Sequence, residues 1–443
     1  MDVREAQDGL LDAARTAVAL AKELGAEQAE AGASFEEGLS VTVRLGELES
    51  VERQRDRGLA ITVYRAQCKG SASTADFAPA AVDAAVRKAL SIASFTAADP
   101  YAGLADADLM AHDYPDLDLF RPWQLDVAGA ETLALEAENA ARGLDPQIRN
   151  SEGATVSTSS AAQAYANSHG FAGAYASTSH SISCSVVADR EGILERDYWF
   201  TLARDHAALE TPEEVGREAA RRALRRLGAR QLATCRIPVL YPAYLARGLF
   251  GHLVAAIRGT SQYRKATCLL GASGQQIFPA HVTVDEEPLL AGAIGSAPYD
   301  SEGVRTRPRQ LIAAGVLQGY VLSSYSARRL GLATTGNAGG VHNLIVKPTV
   351  NSEQELLEAY PRVFLVSELL GQGVNTVTGD YSRGAAGFLV ERGEISHAVH
   401  EVTIAGNLLE LFKRIEGIGP DVDRRGSIHS GSVLVGELTV AGA

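Results

Sequence analysis

Residues 151–181 read SEGATVSTSSAAQAYANSHGFAGAYASTSHS, and what this stretch forms decides the fold. Its wealth of Ser, Ala and Gly fits a low-complexity linker. The pattern around it argues otherwise. The next residues, SISCSVVAD (181–189), set Ile182, Cys184 and Val186 against serines, the period-2 signature of a strand with one buried face. The alternation extends back through the small residues. Residues 147–202 are therefore expected to form a strand meander with small outward side chains, which let another backbone approach closely.

Working outward, residues 5–24 place Leu10, Leu11, Ala14, Ala17, Val18, Ala21 and Leu24 at helical spacing, and Gly25 ends the run. LSVTVRLGEL (39–48) predicts a strand with Val41, Val43 and Leu45 on one face, and GLAITVYR (58–65) repeats the β-branched pattern. Helices are predicted at 78–94, 124–142 and 211–227, with a Pro- and Asp-rich connector over 97–122. Residues 229–236 form a boundary. Beyond it the chain is rich in Gly and strands, with helices expected only near 242–257, 352–359 and 405–414. The order of elements predicts an α+β fold: an N-terminal sheet-and-helix domain over 1–230, then a strand-rich domain over 231–443.

The chain carries 54 acidic against 41 basic residues, a net charge of −13. That balance argues against a nucleic-acid coat, which needs a basic surface to displace counterions. The arginine run REAARRALRRLGAR (217–230) is expected to be a surface helix with its guanidinia in water. Cys68, Cys184, Cys235 and Cys268 have no metal-site spacing and predict no disulfide framework. No signal-peptide pattern opens the chain, and no run reaches the roughly 18 apolar residues of a membrane span. The expectation is a cytoplasmic protein with no membrane or nucleic-acid partner.

Candidate chemistry is sparse. There is no phosphate-binding P-loop and no nucleophile elbow. The glycine-rich TGNAGG (335–340) and LLGQGVNTVTGD (369–380) read as turns. ARGLFGH (246–252) puts a lone His252 beside a helical stripe of Leu245, Leu249, Leu253 and Ala256, with Arg247 pointing nearly the opposite way. A catalytic zinc needs three protein ligands, an open position and a base, and no carboxylate lies within a turn of His252. The residues alone leave it between a half-buried structural histidine and part of a metal site. Asp300, Glu302, Arg305 and Arg307 cluster in sequence and are expected to pair structurally. Asp380, Tyr381 and Arg383 precede an apolar run.

FGHLVAAIRG (250–259), YRKATCLLG (263–271), PYDSEGVRTRP (298–308), GVLQGYVLSSYSARRLGLATTGNAGGVHN (315–343), ELLGQGVNTVTGDYSRGAAGFLVERGEI (368–395) and VTIAGNLLELF (402–412) together resemble the PmbA (TldE) branch of the TldD/PmbA family. The resemblance spans residues 230–443, for which it implies a barrel-like domain, and continues more weakly toward the N-terminus. It implies a subunit of a heterodimeric TldD/TldE zinc metalloprotease that cleaves unfolded peptides, removes leader peptides and degrades an antitoxin; the older family name is modulator of DNA gyrase. The family's catalytic subunit carries zinc through H-E-x-x-x-H and a Cys near the C-terminus. Aligned on Gly251–His252, the first His falls on Arg247 and the Glu on Gly248. The Cys region corresponds to RRGSIHSGSVLVGEL (424–438), where Ser430 precedes Gly431 beside His429. The resemblance thus implies a chain with no catalytic or metal residues of its own, His252 a remnant, and zinc in a TldD-like partner. It further implies an unfolded peptide as substrate, a homodimer when the chain is alone, and His252, Asp380, Tyr381 and Arg383 as chamber or partner contacts. A stand-alone metalloprotease and a gyrase-modulator type of regulatory binding protein are the alternatives.

Overall fold

The computed structural model describes residues 3–442. The 151–181 stretch is sheet apart from the turn at Ser168–Phe171. β4 (Ile148–Asn167) and β5 (Ala172–Arg190) form a long antiparallel hairpin in which Ala166 faces Ala172 and Val156 faces Ile182. With β1 (Gln28–Arg44), β2 (Glu47–Arg65), β3 (Cys68–Thr74) and β6 (Ile193–Ala203) they make an antiparallel sheet of order β3-β2-β1-β4-β5-β6. Alanines and valines at alternate positions of β1, β4 and β5 are buried. Hydroxyls on the opposite face pair across strands: Ser40 with Ser157 and Thr42 with Thr155, each at 2.9 Å. Leu45 departs from the expected alternation. It sits at the β1–β2 turn with φ of 55°, outside the strand and half exposed, because the chain reverses there.

Four helices cover the apolar face: α1 (Val3–Glu23), α2 (Pro79–Phe95), α3 (Val127–Arg142) and α4 (Pro212–Arg226). Their contact residues are small, so backbones approach closely. A Cβ on Gly70 of β3 would lie 2.0 Å from the Ala89 carbonyl oxygen in α2. Thr211 and Glu214 form a reciprocal capping box that starts α4. The 97–122 connector is docked rather than loose: the Tyr325 hydroxyl donates to Asp99 at 2.7 Å, and Arg328 donates to the carbonyls of Tyr101, Gly103 and Leu104.

The second half contains α5 (Ala243–Ile257), α6 (Gly259–Tyr263), α7 (Ser324–Leu330), α8 (Glu353–Glu358), α9 (Leu408–Lys413) and two sheets. One joins β14 (Glu394–Asn407), β13 (Asp380–Glu391), β12 (Arg362–Leu370), β7 (Cys235–Tyr241), β17 (Val433–Ala441) and β15 (Ile415–Ile418), in that order. Thr403, Ile404 and Ala405 of β14 also pair with β17, closing five of these strands into a barrel. Closure removes the open edges of a flat sheet. The other sheet runs β10 (Val316–Leu317), β9 (Arg309–Ala313), β8 (Val284–Glu286), β11 (Leu344–Val346), β16 (Ile428–His429). One core joins both sheets to α5 through Leu249, Phe250, Leu253, Val284, Phe364 and Phe412. Among the described residues no helix is long and apolar enough to cross a membrane.

Candidate functional site

β7 is buried from Ile237 to Tyr241, and α5 starts directly after Pro242. Proline suits this position because the first helical turn has no intrahelical acceptor for its missing N–H. α5 buries Ala246, Leu249, Phe250, Leu253 and Ala256. Arg247 leans away from that stripe, and its Nη1 donates to the Arg425 carbonyl at 2.9 Å. Gly248 is exposed. His252 is half-buried, its ring edge-on to Tyr381 at 6.2 Å between centroids. Burial, then the nearby Arg383 charge, holds its imidazole pKa below the usual value, which favours the neutral ring.

Tyr381 is buried against the buried Tyr241, and the two phenol hydroxyls face one another. Arg383 Nε donates to the Leu370 carbonyl at 3.1 Å. The exposed Asp380 accepts from the Thr378 hydroxyl at 2.6 Å. The structure thus gathers His252, Tyr381 and Arg383 at one side of the barrel, while Asp380 faces out.

A large cavity lies elsewhere. A cleft of about 1580 Å3 opens between the two halves of the chain, and those four residues do not line it. Its walls include Trp199 of β6, Arg222 and Arg225 of α4, Tyr244 of α5, Ser367 of β12 and Arg425. The Arg425 guanidinium stands 4.2 Å from the Trp199 ring and 4.4 Å from Phe200. Arg222 covers the Trp199 and Tyr244 rings at 5.2 and 4.5 Å. Such stacks combine cation–π attraction with a planar fork free to hydrogen-bond. Arg425 uses that fork on Asp423, with two contacts of 3.0 Å. Burial alone would raise the Asp423 carboxyl; the hydrogen bonds from Arg425 outweigh it and hold the pKa low. Ser367 sits at a register shift in β12, and its buried hydroxyl lacks a partner among the described residues.

Two expectations need correction. α4 is not a helix with all its arginines in water. Arg222 Nε lies 3.2 Å from Asp197, and Arg226 bonds Glu195 and Glu368 at 3.1 and 2.7 Å. The buried face of α4 thus carries charges because acids from β6 and β12 neutralise them. The charged cluster at 300–307 does not pair internally either. Asp300 accepts backbone N–H bonds from Glu302, Val304 and Ala338, whereas Arg305 and Arg307 are exposed. Burial, with Glu302 close by, pushes the Asp300 pKa up to about 7.

Helix α5 and the 420–432 loop meet where the resemblance would put a zinc site, and the side chains there do not fit one. A guanidinium cannot ligate a metal, Gly248 has no side chain, and His252 is a single imidazole. His429 Nε2 is engaged with the Gly426 carbonyl at 3.0 Å, and the Ser430 hydroxyl with that of Gly431 at 2.9 Å. Among the described residues no three His, Cys, Asp or Glu side chains are grouped to hold a metal ion.

Comparison with known proteins places this architecture. Models of the PmbA/TldA metallopeptidase match in three parts: domain 1 over residues 29–93, the central domain over 120–227 and the C-terminal domain over 234–442. The metalloprotease PmbA of Escherichia coli O157:H7 is 47% identical over 99% of this chain and 97% of its own. The chain belongs to the PmbA/TldD metallopeptidase family. Two solved structures share the fold. One is a Bacteroides thetaiotaomicron protein described as a candidate modulator of DNA gyrase, with a TM-score of 0.92, 24% identity and 98% coverage of both chains. The other is TldE of Thermococcus kodakarensis, with a TM-score of 0.85, 19% identity and coverage of 97% and 99%. Within this PmbA/TldD fold, Trp199, Arg425 and Ser367 escaped the sequence reading. The rarity of tryptophan and the Asp-x-Arg spacing at 423–425 were available signals for the first two; nothing marked Ser367.

Proposed function

We propose that this chain is the TldE-like, non-catalytic subunit of a two-subunit zinc protease, pairing with a TldD-like partner that carries the metal. The observation that carries this reading is the donor set on α5: Arg247 is spent on the Arg425 carbonyl, Gly248 offers nothing, and one imidazole remains. The chain's own contribution is shape. Its cleft, walled by arginine–aromatic stacks and strand backbone, suits an extended, unfolded peptide held mainly through main-chain contacts. His252 and Arg383, backed by the buried Tyr381, form a second surface for the partner or the chamber wall. In the partner, the metal supplies Lewis acidity and an activated water; this chain orients the peptide and shields it from bulk solvent. The test is to purify the chain alone and with a TldD-like subunit, then measure zinc content and cleavage of an unstructured peptide. Activity and stoichiometric zinc only in the pair are expected. Zinc and cleavage by the isolated chain would overturn the reading, and an inactive pair would favour a regulatory binding protein.

A further inference from the structure

We infer that Arg247 is a positioning residue that sets one wall of the cleft, tying α5 to the 420–432 loop through the Arg425 carbonyl. The loop is braced as a unit. Asp423 Oδ1 accepts from the Arg425 backbone N–H at 2.8 Å, the Asp423 N–H reaches the Ser430 carbonyl at 3.0 Å, and Asp421 accepts from the Ser432 N–H at 3.0 Å and its hydroxyl at 2.6 Å. A pull on one carbonyl therefore moves the whole loop.

Arg425 is held at both ends. Its carbonyl is fixed by Arg247 of α5; its guanidinium is chelated by Asp423, lies on the Trp199 and Phe200 rings, and donates to the Phe200 carbonyl in β6. The path Arg247–Arg425–Trp199 thus runs from α5 to the other half of the chain across one wall of the cleft. A residue that bridges helix and loop here does the mechanical work a shared metal ion would otherwise do, with two differences. Arginine keeps its charge at every accessible pH, and the bond needs no ion. The donors that disqualify the place as a zinc site make it a permanent strut.

The chain has two tryptophans, so a Trp123→Phe background leaves Trp199 as sole reporter. Into it go Arg247→Met, which keeps the aliphatic stem without donors, and Arg247→Lys, which keeps a charged donor. Acrylamide quenching reads exposure of Trp199, and trypsin nicking after Arg424 or Arg425 reads loop opening. Losing a hydrogen bond from a charged donor is expected to raise the loop's open population about tenfold. Arg247→Met should therefore nick about tenfold faster with stronger quenching, Arg247→Lys should recover most of the protection, and a chelator should leave the parent unchanged. Parent-like behaviour of the Met variant, a Lys variant no better than Met, or opening of the parent by chelator would each overturn the assignment. The test uses the isolated full chain, so its outcome is separate from that of the two-subunit reading.

Discussion

Arg226 Nη1 lies 2.7 Å from Glu368 Oε2, joining α4 of the N-terminal half to β12 of the barrel. The same guanidinium bonds Glu195 at 3.1 Å and approaches Asp197 at 3.7 Å. One cation thus serves three carboxylates in a poorly hydrated seam, with 14% of its side chain exposed. Removing it leaves Glu195 and Glu368 without that cation, while Asp197 keeps Arg222 at 3.2 Å. Arg226→Met should destabilise the chain by about 3 kcal/mol or more. A double-mutant cycle with Glu368→Gln in urea should show strong coupling; additive effects would mean that the two halves are joined by packing alone.

Gly216 tests how tightly the helices lie. Glycine to alanine within a helix ordinarily stabilises by about 1 kcal/mol. Here the new Cβ would stand 1.9 Å from the Ala137 carbonyl oxygen of α3. Overpacking of this kind costs roughly 1–3 kcal/mol and falls on backbone that cannot rotate away. Gly216→Ala should lower the thermal midpoint despite the better helix former; a rise would show that α3 and α4 sit further apart.

Asp300 supplies a pH signature. An acid with a pKa raised from 3.8 to about 7 binds its proton more tightly in the folded chain. Its contribution to stability is complete below the lower value and is lost as pH rises through the upper one. Asp300→Asn cannot titrate, so the stability gap between parent and variant should narrow from about pH 4 to about pH 7. His252 and His429, whose pKa values are lowered chiefly by burial, act oppositely and weaken the fold as pH falls through the imidazole range. Because they are common to both proteins, the comparison isolates Asp300. A constant gap would count against a proton held on Asp300.

Gly248→Glu restores the base of an H-E-x-x-x-H helix but not its ligands. Nothing lies within 4 Å of a Cβ there, so the variant should fold, with a gain of about 0.5 kcal/mol from helix propensity. After purification in the presence of zinc, mass spectrometry should find no stoichiometric metal, and the isolated variant should leave an unstructured peptide intact. Zinc retention with cleavage would sink the argument from the donor set.

The alternation at 181–189 and the apolar stripe of α5 were legible because burial imposes a local period. Barrel closure came only with the family resemblance and not from the residues themselves, since the pairing of Ile404 with Val440 leaves no mark on either segment taken alone. The inward arginines of α4 fall between these cases. Val215, Ala219, Arg222 and Arg226 recur three or four residues apart, so the spacing placed both guanidinia on the buried face. What hid them was the assumption that charge means water; their neutralising partners Asp197, Glu195 and Glu368 lie on distant segments. The departures at Arg247 and Gly248 were visible because position alone exposes them, while the partner of Arg247 in the 420–432 loop required coordinates.

The closed barrel also sets an order of events during synthesis. β7 lies between β12 and β17, and β17 emerges about 190 residues after β7. At typical elongation rates that gap lasts roughly 10–40 s. All six strands of the first sheet precede β7, so that half can assemble while β7 waits, with both edges unpaired until β12 emerges and one edge unpaired until β17 does. Unpaired apolar strands invite association with other nascent chains. The vulnerable interval for this protein is therefore the time between its seventh strand and its last, and conditions that slow translation should lower its soluble yield more than they lower that of a chain truncated after α4.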